Sequence, residues 1–522
     1  MYNDSNGKFY EDKYLLLLAA ISIGVMAYWL AYANYQYLSF SSQYYDIGVA
    51  VYSTYIHIQY PGITGGLQYL SFYNHISPFA LLTLPIFALL PGSMTLIAMQ
   101  DISLAIAAII LYLCVKDLLK NRLLAFSFGA AFIFNVGVRG IMIAEFHPEG
   151  FIPLLFLLAF YFYIKDRLLG FSISYVLLLS VMETSWPVGV ALILGLLYYE
   201  LFYNKKAGAT EKANRQKRIR TMLALLVVTA LFVIFYYYVT QTLLNMYAHG
   251  MYPNLPPQLR ILDYTQLQIS NLPVFLSNNI SFNSQILILI GLLFLLLGFG
   301  ISSFADPILM IILISPWLFE VLILHNFNFA SFYLDYYSFA IAGSAIAAVL
   351  GIKIIFEGKS FLFNKLILLR RMEKEKLVFH LIIILVLSTV FFYILSIPPS
   401  FPLISGSIYR NYTQIQATLS KIPPNANVML QSNIYPHLYY IDHLEFPPNT
   451  IYNESIPGGI YNATLSFYWF KPNYVVIYPS KNVWFASYNN DFNTSKFNIY
   501  TYMGSNFTLY NSADGVEIYR RN

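Results

Sequence analysis

Charge and cysteine are what this sequence has least of. Only 11% of its 522 residues are charged, and Cys114 is its single cysteine. A lone cysteine excludes an internal disulfide framework, so the redox compartment cannot be read from cysteine pairs. The basic residues sit in short loops between apolar runs and form no patch, which argues against a nucleic-acid partner. The chain also lacks an internal repeat, which weighs against a transporter built from inverted repeats. What remains is apolar. Hydrophobic residues make up 58% of the chain and the mean hydropathy is +0.58. No water-soluble fold of this length needs so much apolar surface, so the chain reads as a polytopic membrane protein.

Runs of near-bilayer length recur from Lys13 to Ser396. They place eleven expected spans at 14–35, 93–115, 123–140, 151–164, 168–182, 187–203, 221–245, 284–301, 308–324, 338–356 and 377–397. The first run is too long for a signal-peptide core and no small-residue cleavage site follows it, so it reads as a retained span. The stretch "SPFALLTLPIFALLP" is left out of the count. Between Pro78 and Pro91 it holds too few apolar residues to cross a layer that needs about 20, and it reads as a re-entrant or membrane-surface helix. With that stretch not crossing, the basic loops at 116–122, 165–167, 204–220 and 357–376 share one side with the N-terminus. The positive-inside rule makes that side cytoplasmic.

The opposite side then receives a first loop of about 36–92, the stretch "RGIMIAEFHPEG", and everything from 398 to 522. In this tail the pattern changes to short runs such as "NVMLQ" and "YVVIYP" between Pro, Asn and Gly turns. The expected architecture is an all-α membrane bundle of about 11 transmembrane helices over 1–397, with a small extracytoplasmic α/β or mostly β domain over 398–522. N-glycosylation sequons at Asn411, Asn453, Asn462, Asn493 and Asn506 fall in the tail and one at Asn279 in an outer loop, against only Asn3 on the inner side, which agrees with this placement.

The ionisable groups of the membrane portion collect on the outer face: Asp46, His75, Arg139, Glu145, His147, Glu149, Glu183 and Asp335. Several have ordinary explanations. Asp46 suits a helix N-cap, and His75 suits a hydrogen-bonded turn before Ser77-Pro78. Pro148 fits the first turn of a helix, with Glu149 at the positive end of its dipole. Glu183 reads equally as a solvated helix end before Pro187, and Asp335 as an acceptor for neighbouring tyrosines. Glu145 and His147 have no such account. Two carboxylates and an imidazole are suitable ligands for a divalent metal cation, which makes Glu145, His147 and Glu149 a candidate metal set, although Glu-x-His-x-Glu is not a standard zinc spacing. A transferase acting on a lipid-phosphate donor needs a carboxylate base, positive charge on the leaving phosphate and a membrane-level entry for the lipid. Asp46, Arg139 and the 78–91 stretch match those needs, with His75 and Glu183 as further catalytic candidates.

The stretches "YDIGVAVYSTY", "NHISPFALLTLPIFALLPGSMTLIAMQ" and "EFHPEGFIPLLFLLAFY" resemble a family of prokaryotic membrane proteins known as domain of unknown function 2079. Asp46 and Gly48, His75 with Ser77 and Pro78, and Phe146 to Glu149 match its hallmarks. "KPNYVVIYPSK" matches its end region. The chain departs from it at Met182-Glu183-Thr184, where only the glutamate is kept, and at Tyr336-Tyr337, where a His-Tyr pair is usual. The family's layout resembles in turn the GT-C glycosyltransferases, which include protein mannosyltransferases and the aminoarabinose transferases of lipid A. That resemblance implies a polyprenyl-phosphate sugar donor as partner beside the bilayer, and Asp46 as general base. It leaves the oligomeric state open.

Three functions compete. A GT-C-like glycosyltransferase places its ionisable groups at the outer face. A transporter places them near the span centres, which here are nearly bare of charge. A structural or binding envelope protein would use the tyrosine-rich, sequon-bearing tail.

Overall fold

The computed structural model describes residues 12–41, 46–59, 71–72, 75–204, 209–248, 289, 292, 298–299, 301–323, 335–360, 374–395, 406–441, 443–445, 472–479 and 503–522. Among them, fourteen α-helices and seven strands follow one another. The chain opens with α1 (Lys13–Leu38) and α2 (Asp46–Gln59), then the strands β1 (Ser71–Phe72) and β2 (His75–Ile76), and a 3-10 turn Pro78–Leu82 leading into α3 (Leu84–Leu89). The helices α4 (Ser93–Leu119), α5 (Arg122–Ile133), α6 (Val136–Ile143), α7 (Ile152–Ile164), α8 (Leu168–Ser180), α9 (Trp186–Phe202) and α10 (Ala209–Ala248) come next. The remaining helices are α11 (Pro307–Leu318), α12 (Ile341–Phe356), α13 (Lys374–Leu395) and α14 (Gly406–Leu419).

Length divides these helices. Only Lys13–Leu38, Ser93–Leu119 and Glu211–Val239 are long and apolar enough to cross a membrane. A fourth span arises if α5 and α6, bent by 41° at their junction, count as one. The shorter apolar helices have between 10 and 17 residues, below the roughly 20 that a perpendicular crossing needs. The eleven expected spans are therefore not all realised as full-length helices, although ten of them coincide with helical segments. The eleventh, 284–301, lies mostly outside the described residues. The bend within 123–140 has a local cause: the Asn135 side chain accepts from Gly137 N at 2.8 Å and starts a new helix there. The 78–91 stretch forms only two short helical pieces, too short to cross. Leu82, Ile86, Leu89 and Leu90 are exposed along it.

One hydrophobic core joins α1, α4, α5, α7, α8, α9, α11 and α12. Its charged ends are tied by specific pairs. Asp12, at the N-cap of α1, accepts from Leu15 N, from the Tyr112 hydroxyl at 2.8 Å and from Lys116 Nζ at 2.7 Å. Burial opposes the charge on Asp12, but the bonds from Lys116 and Tyr112 outweigh it and hold the carboxyl below its ordinary range. Where α9 ends, Glu200 is fully buried and accepts from Tyr163 Oη at 2.6 Å, Arg218 Nε at 2.5 Å and Asn204 Nδ2 at 2.9 Å.

The C-terminal unit is a mixed five-stranded sheet packed with α14. Its strands are β3 (Asn427–Leu430), β4 (His443–Glu445), β5 (Tyr474–Ile477), β6 (Phe507–Ala513) and β7 (Val516–Arg521), in the order β4-β3-β5-β7-β6. β3 is parallel to β4 and β5, and β7 is antiparallel to β5 and β6. Side chains alternate as pleating requires. Val428, Leu430 and Val476 face one apolar cluster, while Met429, Val475 and Ile477 face another. The sequon residues Asn411 and Asn506 are exposed. Asn3, Asn279, Asn453, Asn462 and Asn493 lie outside the described residues.

Candidate functional site

The stretch 143–151 is built onto α4. At the end of α6, Ala144 N closes on Gly140 O. Glu145 then turns the chain with φ +65°, a left-handed conformation that side-chain-bearing residues adopt at a cost. Gln100 of α4 reads the main chain that follows. Its Nε2 donates to Ile141 O at 3.0 Å and Glu145 O at 2.7 Å, and its Oε1 accepts from His147 N at 2.8 Å. Ser103 Oγ donates to Gly150 O at 3.1 Å. Gly150 is required here, because a Cβ would lie 2.5 Å from Gln100 Cγ. A 3-10 turn at Pro148–Phe151 then leads into α7, with Glu149 in its first turn, as the helix-start account anticipates.

The hallmark stretches meet around this turn. The Phe79 ring packs on the Phe151 ring at 4.9 Å, which seats the 75–79 stretch on it. Glu183, in the turn between α8 and α9, accepts from Ile76 N at 2.9 Å and so holds the backbone next to His75. A small cavity opens between α1, α2, α4 and the C-terminal unit, lined among others by Gln36, Tyr37, Ile47, Ser93, Glu145 and Pro436. Glu145 and the first turn of α2 therefore face one space. Arg139 is buried in α6 with its guanidinium 6.0 Å from the Trp29 ring centre, a cation–π arrangement. Tyr32 of α1 lies within electrostatic reach of both Glu145 and Arg139, so these three form one neighbourhood.

The placement of the expected residues is uneven. Asp46 begins α2 and His75 begins β2, pairing with Phe72; the side chains of both, and that of Asp335, lie outside the described set. Glu145 and Arg139 both lie within electrostatic reach of Tyr32. Glu149 and Glu183 are buried, but neither lines the cavity. Among the described residues no three His, Cys, Asp or Glu side chains group closely enough to hold a metal ion. Glu145, His147 and Glu149 are among them and do not come together as a ligand set. Composition alone does not single out Gln100, Trp29 and Tyr32. A Gln inside an apolar span is the one available signal for the first.

These features define a multi-helix membrane protein with a small, mostly apolar cavity bordered by Glu145 at one end. The chain belongs to the family described as "Predicted membrane protein (DUF2079)", whose model matches residues 2–518. No curated protein matches it. Among solved structures it is similar to the Archaeoglobus fulgidus oligosaccharyltransferase, in a crystal structure with a tethered acceptor peptide. The TM-score is 0.39 and the identity 11%, over 90% of this chain and 70% of that one.

Proposed function

We propose that this chain is a membrane glycosyltransferase that moves a sugar from a polyprenyl-phosphate donor to an acceptor hydroxyl on the extracytoplasmic face. The observation that carries the reading is where the elements meet: Glu145, Ile47 next to Asp46, and Pro436 of the C-terminal unit border one gap about the size of a water molecule. In this reading residues 398–522 are an extracytoplasmic domain. The end of the bundle holding Lys116, Lys165 and Arg218 is cytoplasmic, in accord with the positive-inside rule.

The chemistry follows from the residues. The Asp46 carboxylate takes the proton of the acceptor hydroxyl. The freed oxygen attacks the anomeric carbon, the bond from that carbon to the phosphate oxygen breaks, and polyprenyl phosphate leaves with the electron pair. Arg139, held over Trp29 beside Glu145, supplies positive charge for the leaving phosphate. The exposed Leu82, Ile86, Leu89 and Leu90 give the lipid a path at membrane level. Glu183 acts as a positioning residue for the His75 stretch through Ile76 N. No step runs through a metal, since the donor set does not fit one.

The test is transfer from a labelled polyprenyl-phosphate sugar in proteoliposomes. Asp46→Asn is expected to lower the rate by about 100-fold or more with the thermal unfolding profile unchanged. Transfer at the wild-type rate overturns the assignment of Asp46.

A further inference from the structure

The apolar cluster on one face of the C-terminal sheet is not built by that unit alone. Phe40, just past α1, and Val49 of α2 are buried within it beside Ile415, Val428 and Ile434. The joint is specific at three residues of the segment 433–437, Asn433, Tyr435 and His437. Asn433 Nδ2 donates to Phe40 O at 3.0 Å. The His437 ring is stacked on Tyr37 at 4.2 Å and on Phe40 at 4.0 Å, with its Nδ1 2.8 Å from Gln416 Nε2. Tyr435 sits on Gly48, where a Cβ would lie 2.6 Å from Tyr435 Cδ1 and 2.7 Å from its Cβ and Cγ. Side chains do not approach so closely, so only glycine fits. Tyr52 continues the contact against Tyr435 at 5.6 Å.

Gly48 lies two residues after Asp46, at the start of α2. The glycine of the Asp-x-Gly hallmark thus has a physical reason that the first turn of a helix does not supply. Glycine is a poorer helix former than alanine. Here that cost is accepted because Tyr435 occupies the space of the missing side chain.

We propose that the C-terminal unit is a positioning part of the site, with Tyr435 seated on Gly48 fixing where α2 begins and hence where Asp46 is presented. Gly48 and Tyr435 are positioning residues. The catalytic half of this inference rests on the assignment of Asp46 above; the docking half does not.

The experiment is hydrogen–deuterium exchange on the full chain in lipid nanodiscs. Gly48→Ala is expected to raise exchange in 46–59 and 432–441 by about tenfold, while α4 and α7 exchange as in the wild type, which shows the bundle folded. The sign is diagnostic, because without the Tyr435 contact an alanine at 48 strengthens α2 and slows exchange. Tyr435→Ala, which removes the seat and leaves Gly48 in place, is expected to raise exchange in 46–59 in the same direction. In the transfer assay, both variants lower kcat with little change in KM for the donor lipid. Unchanged or slower exchange in Gly48→Ala overturns the proposal, as does Tyr435→Ala leaving 46–59 at the wild-type rate. If the wild type transfers no sugar, the enzymatic reading falls, and the exchange results still decide whether the C-terminal unit sets the start of α2.

Discussion

At the foot of α7, Glu200 is enclosed by Arg218, Tyr163 and Asn204, and Arg218 also reaches Asp166 at 2.5 Å. At the head of α7, Glu145 borders a cavity on a residue whose backbone is held left-handed, while Gln100 grips the surrounding main chain. Both carboxylates are buried in an apolar bundle. The first is surrounded by cationic and hydroxyl partners that fix four chain segments, which is a structural use of charge. The second belongs to a residue that borders a gap between four elements, on a strained backbone held from outside. Burial of charge alone does not distinguish function from scaffolding, and the two carboxylates differ in what surrounds them.

That contrast can be broken from either side. The largest effect belongs to Glu200→Ala. Arg218 keeps the half-exposed Asp166 but loses its buried partner, and Tyr163 Oη and Asn204 Nδ2 lose their acceptor, at an expected cost of about 3–5 kcal/mol, read as a lowered thermal unfolding midpoint in detergent, with any donor binding preserved in the fraction that remains folded. An unchanged midpoint would show that the foot of α7 is not a staple. Gln100→Leu comes next. It strands Ile141 O, Glu145 O and His147 N, for a loss of about 2–3 kcal/mol confined to faster amide exchange in 141–151. If exchange rises across the whole bundle instead, Gln100 is a core residue and not a clamp on the turn.

A third effect is set by pH. Burial alone pushes the His437 imidazole down to about 3. The docked ring is neutral, whereas an undocked one takes up a proton as pH falls through about 6.5. Docking of the C-terminal unit is therefore at full strength above that value and weakens progressively toward pH 3, by about 2 kcal/mol at pH 5. Exchange in 432–441 at pH 7 and pH 5 measures it, and His437→Phe, which keeps the ring stack, is expected to flatten the difference. The smallest effect is Glu145→Gly. It relieves the left-handed strain and is expected to stabilise the fold by about 1 kcal/mol, while removing the carboxylate from the cavity and lowering sugar transfer. A destabilised Glu145→Gly would place Glu145 with Glu200 as a structural group.

Much of the helical layout is legible in the residues, because apolar runs and polar breaks are local signals. The bend at Asn135 is legible too, in hindsight, as a cap in mid-run. Helix length is less so: an apolar run reports burial, and a short helix inside the bundle is as apolar as one that spans. The candidate site divides the same way. Glu145 and Arg139 stand out by charge, and both lie within electrostatic reach of Tyr32. Gln100 does not stand out, because its partners lie 41 to 47 residues away. Glu183 reads as a helix end until its bond to Ile76, 107 residues off, is seen. Gly48 looks like an ordinary helix-start glycine until Tyr435 is placed upon it. Each of these roles is created by tertiary contact, and no local pattern encodes it.

Cys114 is fully buried in α4 with its Sγ 4.0 Å from Leu157 O, so the native chain offers water-soluble thiol reagents no accessible target. A cysteine introduced at any exposed position becomes the sole reporter in an otherwise silent background. Replacing Lys212 in one variant and Asn411 in another, both exposed, and labelling intact cells with a membrane-impermeant maleimide would read the sidedness of the two ends directly, without first engineering a cysteine-free protein.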